Sequence, residues 1–126
     1  MNPTAKLFLT LGAIAAMLAV ILGAFGAHAL RAKVPADLLA VYNTGVQYHV
    51  WHALGLLAVG LVAMHVRDSA ALVWAGWLML AGIVLFSGSL YVLVVTGIRW
   101  LGAVTPFGGT AFIAAWALLA WAVARG

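Results

Sequence analysis

Two histidines three residues apart, His49 and His52, with Gln47 and Tyr48 just before them and Asn43 a turn earlier, form the densest group of chemically competent side chains in the chain. A spacing of three puts both imidazoles on one face of a helix, and Tyr48 shares an edge with His52 at a spacing of four. Neutral imidazole can ligate zinc, copper or iron, relay protons, or hydrogen-bond to a neighbouring helix. His28 is a third imidazole that folding could bring to the pair, and Ser87, Ser89, Tyr91, Thr105 and Thr110 supply hydroxyls. Three readings are open. One is a metal or haem site through His28, His49 and His52. Another is a pocket for a small ligand, or a proton relay. The third is a set of interhelical hydrogen bonds, each worth about 0.6 to 2 kcal/mol.

Catalysis lacks its parts. A serine nucleophile with a histidine base needs an orienting acid. The only carboxylates are Asp37 and Asp68, both in connections, and there is no cysteine to serve as nucleophile or thiolate ligand. Gly108 and Gly109 have no lysine behind them to hold a phosphate and read as close helix packing. The chain is therefore expected to be non-enzymatic and to carry no cofactor.

The elements that position these groups are set by composition. Of 126 residues 67% are hydrophobic and 6% charged, with a mean hydropathy of +1.20, whereas soluble domains carry about a quarter charged residues. A bilayer crossing takes roughly 20 apolar residues, so the length allows four spans in a single domain. The reading is an all-α membrane protein, a four-transmembrane up-and-down antiparallel bundle with spans at about 6–27, 44–66, 70–96 and 101–124. Pro35 and Asp37 suit the first turn of a helix. The segment from Ala36 to Tyr42 is expected to be a short interfacial helix, with Leu38, Leu39, Val41 and Tyr42 on the bilayer surface and a break at Asn43–Gly45 before the second span. Pro106 implies that the fourth helix either starts there or bends there. Lys6, an apolar run and Ala27-His28-Ala29 also outline a signal peptide, but the run is longer than a signal core and favours a retained span.

Small residues at Gly12, Ala16, Ala19, Gly23 and Gly26 form a seam along the first span, and Ala75, Gly82, Ser89 and Thr96 form a second along the third. Such seams let helices approach closely, and they also offer surfaces to a second copy. Trp74, Trp77 and Trp121 fall toward one membrane face and Trp100 toward the other, as aromatic belts do. Six basic residues against two acidic give a net charge of +4. They are too dispersed to track a nucleic acid backbone, so membrane lipids are the expected partners. Lys6, Arg67 and Arg125 balance Arg31, Lys33 and Arg99 across the two faces, so the positive-inside rule returns a tie. The general preference of even-numbered bundles places both termini inside.

Up-and-down threading gathers His28, Asn43, Gln47, Tyr48, His49, His52, Ser87, Ser89, Tyr91 and Thr105 in one half of the bundle. The other half keeps only Thr10 and His65, the latter as a snorkelling terminus. By helical rise, His52 lies roughly 13 Å and Ser89 about 15 Å below the surface. The blocks GAFGAHAL (23–30), YHVWHAL closing the stretch from Tyr42, FSGSLY (86–91) and TPFGG (105–109) resemble the signatures of the YgdD-like domain-of-unknown-function family of small inner-membrane proteins. The resemblance implies a four-helix, multi-pass membrane protein. It supplies no activity, so no functional residue is carried over. The expected role is a structural, interaction or lipid- and small-ligand-binding bundle, with a small oligomeric transporter or channel as the alternative and metal or haem binding as a second.

Overall fold

The computed structural model describes residues 1–67 and 69–126, and these are helical with no strand. Asp68, expected in the tight connection after the second span, lies outside the described residues. Four helices are long and apolar enough to cross a membrane: Pro3–Leu30, Ala36–Ala63, Ala70–Thr96 and Arg99–Arg125. At 27 or 28 residues each, they are about 42 Å long, so their ends pass beyond the roughly 30 Å hydrocarbon layer.

Local chemistry sets the ends. Asn2 caps the first span by accepting from the Ala5 N–H at 2.8 Å, and its Nδ2 donates to the Ala63 carbonyl at 2.8 Å. One side chain thus closes a helix start and ties it to the end of the second span. Ser69 caps the third span through the Leu72 N–H at 3.2 Å. Gly97, at φ 75°, closes that span in the left-handed conformation that glycine adopts freely. The fourth span opens with one 3-10 turn, Arg99–Ala103, and becomes α-helical over Thr105–Arg125 with Pro106 in its first turn. Of the two geometries expected there, the helix start is the one found.

The second span corrects one expectation. Ala36–Ala63 is a single unbroken helix, without a separate interfacial segment or a break at Asn43–Gly45. Thr44 Oγ1 donates to the Ala40 carbonyl at 3.1 Å, which satisfies the hydroxyl inside the helix. Gly45 is a contact surface, where a Cβ would stand 3.1 Å from Tyr91 Cε1. Nor does Tyr42 lie on the bilayer surface. It is buried, its ring fills the place a side chain at Gly26 would take, and its hydroxyl donates to the Leu22 carbonyl at 2.5 Å.

The first span packs on the second and the third on the fourth, and the second and third join the two hairpins. Along the first interface Gly12 receives Leu57, Gly23 receives Val46, Gly26 receives Tyr42, and Gly60 of the second span receives Leu9. Ala16 and Ala19 lie on the same seam, Ala19 buried and Ala16 partly so. Along the other interface Gly82 makes room for the Phe112 ring, and the Phe86 backbone occupies the space beside Gly108. The half of the bundle at the chain ends is dry, filled by Phe8, Leu56, Val59, Leu72, Ala75, Met79 and Leu119.

One π-helical turn, Gly26–Leu30, ends the first span, and another, Ile83–Ser87, lies inside the third. The extra residue in a π turn rotates the helix beyond it, and such turns recur where a helix must re-aim its side chains. On the fourth span Trp100 and Trp121 are about 32 Å apart along the axis, close to the hydrocarbon thickness, which places the boundaries near them. The turn at Ile83–Ser87 then falls near mid-depth.

The crowding at Gly108 is testable against its neighbour. Gly108→Ala drives a methyl into the Phe86 backbone, whereas at Gly109 the nearest atom is Phe86 Cδ2 at 3.9 Å, an ordinary contact. Thermal unfolding in detergent should show Gly108→Ala destabilised by about 1 to 3 kcal/mol, with Gly109→Ala close to the parent.

Candidate functional site

The interior polar groups resolve into three separate clusters. The first begins at His49, buried on the second span, whose Nδ1 lies 2.9 Å from the Tyr91 hydroxyl of the third. The Ala15 backbone of the first span also interacts with this imidazole, so His49 touches the spans on both sides of its own. One turn before Tyr91, Ser87 Oγ donates to the Gly45 carbonyl at 2.6 Å. The bond returns to the second span through a carbonyl whose glycine leaves the space for it. The Tyr42 and Tyr91 rings meet at 5.2 Å.

His52 is the centre of the second cluster. The Trp116 indole N–H donates to His52 Nε2 at 3.0 Å, and His52 Nδ1 lies 2.7 Å from the Tyr48 carbonyl. An indole nitrogen only donates, so Nε2 is the acceptor, the ring proton sits on Nδ1, and Nδ1 donates to Tyr48. Both nitrogens of a neutral imidazole are thereby used. The ring stacks on Phe112, centroids 3.5 Å apart, and Tyr48 packs on Phe86 at 4.5 Å and on Trp51 at 4.9 Å.

The third cluster is small. Ser89 and Thr105 join the third and fourth spans at 2.7 Å, and Ser89 also donates to the Phe86 carbonyl at 2.9 Å. Ser87 and Ser89 are two residues apart and therefore point to nearly opposite sides of the helix, one to the second span and one to the fourth. Among the described residues, no buried side-chain nitrogen or oxygen lacks a hydrogen-bond partner.

Three residues expected beside these groups are elsewhere. His28, Asn43 and Gln47 are exposed. His28 sits at the end of the first span, and Asn43 and Gln47 share the outer side of the second. The three-histidine arrangement is therefore not assembled, and among the described residues no group of three or more His, Cys, Asp or Glu side chains could hold a metal ion. Trp116, Phe112 and Tyr42 are the participants that sequence reasoning missed. An indole on the fourth span at the depth of His52 was the available signal for the first of them.

Beside the second cluster the surface is concave. Tyr48, Trp51, His52, Phe86, Gly109, Phe112, Ile113 and Trp116 line a groove of about 430 Å³ between the second and fourth spans. Trp51, Ile113 and Trp116 form its exposed rim. At the level of the His52–Phe112 stack the groove lies near mid-membrane and opens sideways toward lipid, with apolar walls and a histidine whose hydrogen-bonding capacity is already filled.

The separateness of the clusters has a measurable form. In double-mutant cycles read from detergent unfolding, His49→Leu with Tyr91→Phe should couple by about 0.6 to 2 kcal/mol, while His49→Leu with Trp116→Phe should be additive within about 0.5 kcal/mol.

A family model described as "Protein of unknown function (DUF423)" matches residues 22–109, an interval that contains all four sequence blocks. The UPF0382 membrane protein YwdK of Bacillus subtilis is 56% identical over 120 residues, covering 95% of this chain and 98% of the relative. The UPF0382 membrane protein SSP2132 of Staphylococcus saprophyticus is 49% identical over 114 residues, covering 90% and 93%. No solved structure matches. The chain thus belongs to the DUF423 family of small membrane proteins, with four membrane-crossing helices tied together at mid-depth by histidine, tyrosine and tryptophan.

Proposed function

We propose that this chain is a non-enzymatic, multi-pass protein of the cell's inner membrane that holds an apolar chain of a membrane lipid in the groove between its second and fourth spans. The observation that carries the reading is the groove itself: a concavity of about 430 Å³ walled by aromatic rings and opened in the glycine gap at Gly109. Inside the bundle the polar groups are spent on one another, which favours a structural role for His49, His52, Ser87 and Ser89. An acyl or isoprenoid chain fits such a wall because it asks for area and no hydrogen bonds. The paired interior does not support the transport alternative, since Phe86, Phe112 and Tyr48 fill the space a polar solute would cross. The dispersed positions of His28, His49 and His52 likewise do not support a metal or haem centre.

Reconstitution with a phospholipid carrying a photoreactive group in mid-chain tests this. Label should concentrate on Trp51, Ile113 and Trp116 over the likewise exposed Val20 and Ile21 of the first span. Gly109→Leu, which fills the groove, should lower labelling at those positions several-fold without lowering thermal stability. Label spread evenly over all exposed apolar residues would overturn the reading, and solute flux through liposomes containing the protein would replace it with transport.

A further inference from the structure

We propose that a second copy of this chain docks on the outer face of the second span, through Asn43, Gln47, Trp51 and Leu54, about a twofold axis along the membrane normal. Residues 43, 47, 51, 54 and 61 recur at steps of four, four, three and seven, which is one side of a helix, and all five are exposed. The other sides of this span are taken. Val46, Leu57 and Gly60 face the first span, Gly45 faces the third, and His52 and Gly55 meet Trp116 of the fourth. The small-residue seams that could have served self-association are occupied within the chain, because Gly12, Gly23 and Gly26 receive the second span and Gly82 and Gly108 receive aromatic residues of the facing helix.

The chemistry of this face asks for a partner. Gln47 is five residues from His52, so it lies about 7 Å from the level of the His52–Phe112 stack and roughly 10 Å inside the boundary that Trp100 marks. At that depth lipid offers no hydrogen-bond partner, and a side-chain amide carries two donors and two acceptor sites. Thr44 and Thr110, also exposed, satisfy their hydroxyls on the carbonyls of Ala40 and Pro106 one turn back. Gln47 and Asn43 make no such bond to any described residue.

An amide is self-complementary, so a second Gln47 at the same depth supplies what the first lacks. Two copies inserted the same way and related by an axis along the normal bring identical residues to identical depth. Antiparallel insertion would separate the two Gln47 side chains along the normal, since the residue lies off the midplane. Trp51 and Leu54 extend the contact with apolar area toward the membrane centre. The proposal does not rest on the lipid groove, although Trp51 belongs to both surfaces.

The absence of native cysteine makes the test direct. Leu54→Cys oxidised in native membranes should give a disulfide-linked dimer, and Val20→Cys, on the likewise exposed face of the first span, should not. Adding Gln47→Leu to Leu54→Cys should cut dimer yield about tenfold. The thermal stability of the detergent-solubilised monomer should stay unchanged, because Gln47 has no hydrogen bond to any described residue. Equal cross-linking from both positions, no dimer from Leu54→Cys, or a yield indifferent to Gln47→Leu would each overturn the proposal.

Discussion

Hydrocarbon cannot hydrogen-bond, and the architecture follows from where the chain's polar groups find partners instead. His52 shows the constraint at its tightest. Near mid-depth its two ring nitrogens are met by an indole N–H from the fourth span and by a carbonyl of its own helix. That arrangement fixes the tautomer, and the Phe112 stack fixes the plane. An imidazole bonded on both nitrogens acts as a joint between helices, since its neutral form has no lone pair left for a metal or a substrate proton.

The joints form only because backbones come close enough. Gly108 lets the fourth span rest on the backbone of the π turn at Ile83–Ser87, and Gly45 lets the Tyr91 ring and the Ser87 hydroxyl reach the second span. Two residues apart, Ser87 and Ser89 point opposite ways, so the third span can bond both neighbours. Glycine and hydroxyl depend on each other here. A methyl at Gly108 would overlap the Phe86 backbone and one at Gly45 would crowd the Tyr91 ring, and a polar group reached by no neighbour would be costly in lipid.

The four spans and their antiparallel order were legible in the sequence because hydropathy and chain length leave few alternatives. Depth was legible only in part: His52 meets Phe112, whereas Ser87 bonds at Gly45 and Ser89 at Thr105, each seven residues away and so about 10 Å from that level along the axis. Direction around the helix axis was less well used. Gln47 is two residues from His49, about 200° around the helix, so burying the histidine turns the amide outward however similar their depths. Asn43 goes with Gln47 for the same reason. The expected break at Asn43–Gly45 failed because Thr44 can satisfy its hydroxyl inside a helix, and because a glycine is as useful for close approach as for a bend. The π turns have no composition signature, since they answer packing against neighbouring spans that the local sequence does not state.

The outward features meet at one residue. Trp51 stands on the rim of the aromatic groove and also belongs to the exposed stripe with Asn43 and Gln47. A lipid chain in the groove and a second copy on the stripe would therefore both bear on the same indole. Two ligands that share a contact are linked, and whatever factor one applies to the affinity of the other is returned in equal measure. If the chain in the groove holds Trp51 in the orientation the partner needs, lipid occupancy and self-association rise together; if it pushes the ring across the stripe, they oppose. Either sign is set by geometry at a single side chain, and neither requires the packed interior to move.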